Sequence, residues 1–164
     1  MDIKPKKLMA NFFAKFGKVV DANLLKQTDG MGNIKFQPTI VSFYIDGEIE
    51  IGLCQVKKDS NTLKFMEKHA RTPELIVPIK GSFILPVALS HNPLDVTESP
   101  SAADVEAFFV RSNQALVMNN GVWHSAPFPI GKETTFFVIF KKDTSKNDVI
   151  FKNFKNNEMV KIVI

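Results

Sequence analysis

The stretch EKHARTPELIVPIKG, residues 67–81, sets Glu67, His69 and Glu74 in an otherwise apolar, proline-punctuated run that closes on Gly81. Further along, NNGVWHSAP places Gly121 and His124 in a G-x2-H spacing. Two imidazoles with one or two carboxylates form a mixed nitrogen and oxygen donor set. Such a set suits Mn, Fe, Ni, Zn or Co and leaves coordination positions open for a substrate. The residues of these types in the two stretches are Glu67, His69, Glu74 and His124. Glu67 and His124 are also the candidates for proton transfer, since a carboxylate beside a cation can act as a ligand or as a general base.

The alternation of TLKFMEKHA, residues 62–70, gives these side chains a direction. In a strand, Leu63, Phe65, Glu67 and His69 share one face and Lys64 and Lys68 the other. The lysines mark a wet side, which turns Glu67 and His69 inward. A carboxylate and an imidazole buried there are costly unless they pair or hold a cation. Two readings stand at this point: a hydrogen-bonded Glu–His pair in the core, or half of a metal site. His124, as a lone histidine after Trp123, would be structural by itself. With the first motif present, a site role is preferred.

The elements that must position these groups are short and β-rich. Apolar runs recur at 38–45, 48–56, 62–70, 74–79, 82–89, 107–110, 114–118, 134–142, 148–154 and 159–164. Turn formers separate many of them: Asp46-Gly47, Lys80-Gly81, Asn119-Asn120-Gly121 and Ile130-Gly131-Lys132. That texture predicts an antiparallel barrel or sandwich. Two helices are expected. KKLMANFFAKFGKVV spaces Leu8, Phe12, Phe13 and Phe16 helically and ends on Gly17 as a C-cap. TESPSAADVEAFF offers Ser99 as N-cap and Pro100 at the first helical position. TDGMGN, residues 28–33, reads as a loop. No repeat, low-complexity tract or boundary divides the chain, so 1–164 is expected to be one domain.

The 164 residues carry 45% hydrophobic and 23% charged side chains, a composition that suits a soluble globular protein. Fifteen Phe against one Trp and one Tyr predict a thick apolar interior. The net charge of +4 comes from scattered lysines, with no basic stripe for nucleic acid. No run of about 20 apolar residues spans a membrane. The single cysteine, Cys54, excludes an internal disulfide and suits a reducing, cytoplasmic setting; it reads as a buried structural thiol rather than a nucleophile. Arg71 and Arg111 are the only arginines. Arg71 could clamp a carboxylate, although a surface role is preferred. His91 reads as a loop histidine.

The two motifs resemble those of the cupin superfamily, H-x-H-x3-4-E-x6-G followed by P-x-G-x2-H, with Glu67 at the first histidine and Asn119 at the proline. That resemblance implies an all-β, cupin-type double-stranded β-helix, a jelly-roll barrel with an N-terminal helix and one short internal helix. It also implies a single divalent metal inside the barrel, with Glu67, His69, Glu74 and His124 as the ligand candidates. A narrower resemblance is to the ureidoglycolate lyase family. It rests on LMANFFAKFGKVVD, EKHARTPELIVP, SAADVEAFFV, GVWHSAPFPI and TFFVIF, and runs from about Leu8 to Phe140. Glu67, His69, Gly121, Trp123 and His124 match the family's pattern. Lys68 stands for an arginine, Glu74 for a glutamine, Asn119 and Asn120 for a His-Arg pair, and Ser125 for a second histidine. The resemblance implies a homodimer in purine catabolism that cleaves ureidoglycolate, a small-molecule substrate, to glyoxylate and urea. Arg71, Asn119 and Trp123 are the substrate-contact candidates, with Trp123 either walling the substrate or packing beneath the motif. Another metal-dependent cupin activity, such as sugar isomerisation or oxygenation, and a non-catalytic ligand-binding cupin are the alternatives.

Overall fold

A computed structural model describes residues 1–25 and 32–164. Most of the TDGMGN loop assignment, residues 28–31, lies outside the described residues. The strands in chain order are β1 (Asp2–Ile3), β2 (Lys6–Lys7), β3 (Gly17–Asp21), β4 (Ile49–Lys57), β5 (Thr62–Leu63), β6 (Phe65–Lys68), β7 (Glu74–Lys80), β8 (Phe83–Ala88), β9 (Glu106–Val110), β10 (Gln114–Met118), β11 (Trp123–His124), β12 (Phe128–Pro129), β13 (Glu133–Lys141), β14 (Ile150–Asn153) and β15 (Val160–Ile162). Helices are confined to α1 (Ala10–Phe13), α2 (Thr144–Asn147) and three 3-10 turns.

One sheet runs β3-β10-β7-β13-β4; a second runs β14-β6-β11-β8-β9-β2, with β12 also paired to β8. Their pairings are antiparallel except β2 with β9. The apolar core lies between the two sheets. Ile76, Leu116, Met118 and Phe136 from the first meet Phe83, Leu85, Val87 and Phe108 from the second. This is an all-β architecture of two packed sheets. A small sheet, β1-β15-β5, helps cover the outer face of the second one, where Met66, Ala88, Trp123, Phe154 and Ile162 form a separate cluster. Strand β8 is therefore covered on both faces, and FILPVA is buried at every position. Strand β4, covered on one face, alternates exposed and half-buried instead.

Several expectations are corrected. The N-terminal helix is a single turn, and Gly17 opens β3 rather than capping a helix. Glycine is required there because a Cβ would run into the Val117 carbonyl of the neighbouring strand. Phe13 docks edge-on to Phe108 at 5.2 Å, so the aromatic spacing serves core packing rather than a long helix. The internal helix is a 3-10 turn, Ala102–Asp104, with Ser101 and not Ser99 at its N-cap; the β-formers that follow enter β9. Residues 38–45 form no strand despite their apolar content, and Tyr44 is exposed. Lys68 does not mark a wet side: it is fully buried, as is Met66, whereas Phe65 is exposed.

Candidate metal centre

The register delivers the acidic and imidazole groups to one place. Glu67 on β6 pairs directly with His124 on β11. Glu74 opens β7 and His69 lies just past the end of β6, so the short connection between those strands carries two of the four groups. Gly121 joins the motifs: its N–H donates to the His69 carbonyl oxygen at 2.7 Å. Its φ of +75° is left-handed, and a Cβ there would collide with Pro93.

The ligand atoms of His69, Glu74 and His124 lie within 4.8 Å of one another, and all three residues are buried. Glu74 Oε2 is 3.2 Å from His124 Nε2 and 3.6 Å from His69 Nε2. Glu67 Oε1 lies 3.8 Å from His124 Nε2, and its side chain keeps 24% exposure. The other ring nitrogens are committed. His69 Nδ1 lies 2.9 Å from the Asp148 carbonyl oxygen, and His124 Nδ1 lies 3.0 Å from that of Val122. Both contacts require an Nδ1–H. In the neutral rings this turns the Nε2 lone pairs towards Glu74, the tautomer of metal-binding histidines.

The carboxylates favour positive charge at the two rings. Burial by itself would lower the His124 value, but the facing carboxylates of Glu74 and Glu67 push it up to about 9. Burial would raise the Glu74 carboxyl, and the charges of His124 and His69 outweigh it, so the acid is held below its ordinary value. Glu74 Oε2 is buried, and in the ion-free protein the charged His124 ring at 3.2 Å is its partner. A buried carboxylate oxygen between two Nε2 atoms fits a divalent ion, which would take the place of that proton and meet all three atoms at once.

The cavity in front of these groups holds about 300 Å3. Ile76, Phe136, Val138 and Phe140 wall it, and Phe151 and Ser125 border it. The substrate-contact candidates lie elsewhere among the described residues. Trp123 is fully buried in the outer cluster, with Lys68 Nζ 4.7 Å from its ring centroid, which is the packing reading. Asn119 is exposed in the turn after β10, and its N–H donates to the Phe16 carbonyl oxygen. Arg71 does not line the cavity; its guanidinium reaches Asp148 and the Asn147 carbonyl.

Three contributors escaped sequence reasoning. Asp148 is buried; its carboxylate accepts the Ala70 and Arg71 N–H groups at 3.1 and 2.9 Å while its carbonyl orients His69. Nothing in DVIF singles it out. Cys54 lines the cavity, where burial, then the charges of Glu74 and Glu67, push its thiol up. Lys68 donates to Glu98, Ser90 and the Asn92 carbonyl at 2.8, 2.9 and 3.0 Å, which ties the 90–98 loop to β6. Only its position one residue before His69 hinted at a role.

The family model described as ureidoglycolate lyase matches residues 1–161. The chain belongs to the ureidoglycolate lyase family. Solved structures similar to this family member are more distant. A mutant of Bacillus subtilis oxalate decarboxylase shows 18% identity and a TM-score of 0.43, over 85% of this chain and 28% of that one. The 4-keto-6-deoxy sugar epimerase NovW of Streptomyces spheroides shows 10% identity and a TM-score of 0.45, over 61% of this chain and 49% of that one. RmlC of Streptococcus suis, in complex with dTDP-D-xylose, shows 10% identity and a TM-score of 0.40, over 58% and 44%. The chain thus spans less than half the length of each of these three. Comparison with curated proteins returns no match. No described helix is long and apolar enough to cross a membrane.

Proposed function

We propose that this family member is a metal-dependent lyase that cleaves ureidoglycolate, or a related small hydroxy acid, to glyoxylate and the departing nitrogen compound. The observation that carries the reading is the buried Glu74 carboxylate between the Nε2 atoms of His69 and His124. His69, Glu74 and His124 would hold the ion. When bound, it would supply a Lewis-acid anchor for the substrate carboxylate and lower the pKa of the adjacent hydroxyl.

The rest is the work of the chain itself. Glu67 is half-buried at the cavity and 3.8 Å from His124 Nε2, which supports a role as the base that takes the carbinol proton. As the hydroxyl oxygen closes a carbonyl, the carbon–nitrogen bond breaks and the nitrogen leaves with the electron pair. Glu67 then returns its proton to that nitrogen, so the carboxylate is regenerated. The apolar walls restrict water near the reacting carbon. We also infer one domain working in the cytoplasm, a setting that suits the lone thiol, and a homodimer joined through the outer face of the β4-β13 pair. There Ile49, Ile51, Leu53 and Phe137 are exposed side by side.

The test is glyoxylate and urea release from ureidoglycolate by protein reloaded with Mn, Fe, Ni, Zn or Co after chelation. Release by wild type and a loss of about 100-fold or more in Glu67→Gln are expected. Release unaffected by chelation or by Glu67→Gln would remove the reading.

A further inference from the structure

The cavity walls and the polarity of ureidoglycolate do not match. A ureido group carries several N–H donors and a carbonyl, and each one buried without a partner is penalised. Beyond the four acidic and imidazole residues, the polar side chains on the cavity are Cys54, Ser125 and Ser145. Ser125 Oγ donates to the Ala126 carbonyl oxygen at 3.0 Å, and Ser145 sits exposed at the rim. No lysine or arginine lines the cavity among the described residues. The remaining wall is built from Ile76, Phe136, Val138, Phe140 and Phe151.

The rim repeats the pattern. Phe151 pairs with Glu67 across β14 and β6, and Phe65 lies two residues before Glu67 on the same face. Their rings meet edge-on at 6.2 Å, yet Phe65 and Phe151 are 51% and 59% exposed. An aromatic pair left in water beside the candidate base is apolar surface that a substrate group can cover.

We propose that the substrate of this site bears an apolar acyl group where ureidoglycolate bears a carbamoyl: an N-acyl-α-hydroxyglycine, split into glyoxylate and the corresponding carboxamide. The inference rests on the lyase reading above and narrows its substrate. An acyl group keeps the nitrogen an amide, and so as good a leaving group as urea. It also replaces the terminal N–H2 by carbon, which the walls accept. The step balances without a co-reactant. The O–H bond breaks and its proton passes to Glu67. The oxygen electron pair closes the new C=O bond as the C–N bond breaks, and the nitrogen leaves with the C–N bonding pair and takes the proton from Glu67. Nothing is oxidised or reduced.

Two probes that lack the carbinol hydroxyl, and so cannot be cleaved, separate the possibilities by binding alone. N-benzoylglycine and N-carbamoylglycine share the carboxylate and the amide N–H and differ in the group that meets the wall. Calorimetric titration of metal-loaded protein is expected to show N-benzoylglycine bound about tenfold or more tightly. Phe151→Ser, with unchanged metal content, is expected to shrink that ratio at least about threefold. Equal or tighter binding of N-carbamoylglycine overturns the proposal. In turnover, glyoxylate should form from N-benzoyl-α-hydroxyglycine with a higher kcat/KM than from ureidoglycolate. A preference for ureidoglycolate overturns the acyl proposal and leaves the lyase reading standing, whereas cleavage of neither acid removes the lyase reading beneath it.

Discussion

Glu74 is the residue on which the centre turns. A carboxylate buried between two Nε2 atoms brings a negative charge and a candidate oxygen ligand. Glu74→Gln removes the charge and keeps the shape. The expected result is metal affinity weakened by about tenfold or more on titration, with the far-ultraviolet dichroism unchanged; unchanged affinity would mean that Glu74 is no ligand. Protons compete for the same atoms. With His124 pushed up to about 9 in the metal-free protein, ion uptake near neutral pH must displace a proton. Apparent affinity should therefore climb with pH and level off near 9. The stability of the chelated protein should move the other way. A raised imidazole value stabilises the fold fully below its ordinary 6.5 and loses that contribution as pH rises through about 9. Melting temperatures of chelated wild type should fall across that window, and His124→Gln should flatten it.

At the scale of elements, the centre depends on two short connections. The His69–Glu74 turn is held by Asp148, and the β10–β11 turn by Gly121 against Pro93. Gly121→Ala meets both a left-handed φ and a steric conflict, so a loss of about 2 kcal/mol or more is expected in denaturant titration. Lys68 makes a different demand. Its ammonium, fully buried against Glu98 and over Trp123, joins the 90–98 loop to the strand that carries Glu67. Lys68→Met would leave the Glu98 carboxylate largely buried and unpaired. A cost of about 3 kcal/mol, or a fall of roughly 6–12 °C in Tm, is expected, with Lys68→Arg restoring much of it. A neutral result would show Glu98 turning to water. The alternation of TLKFMEKHA was legible as a strand, but not which side was wet. The C-terminal strands and the 90–104 segment bury the face that the lysines suggested was exposed.

For the whole molecule, the outer face of the β4-β13 pair is apolar and exposed among the described residues. β4 is an edge strand, and Ile49, Ile51 and Leu53 line up beside Phe137 on it. An apolar face continuous with an open edge is a pairing surface. Sedimentation velocity should show a dimer for wild type, and Leu53→Lys should convert it to monomer without altering metal content. A wild-type monomer at micromolar concentration would contradict the dimer.

The sequence by itself determined the donor set, the β class and the turns, because side-chain chemistry and a period of two are properties of local order. His69, Glu74, Gly81, Gly121 and His124 stood out through their resemblance to the cupin motifs. Only the tertiary structure decided which groups meet. Register set Glu67 opposite His124, and Asp148, nearly eighty residues from His69, fixed that ring. The same structure turned Trp123 and Arg71 away from the cavity and reduced both expected helices to single turns. It also put Cys54 and a ring of phenylalanines at the mouth of the site. Those outcomes depend on which faces other strands cover, and burial is a property of the assembled sheets that no local window contains.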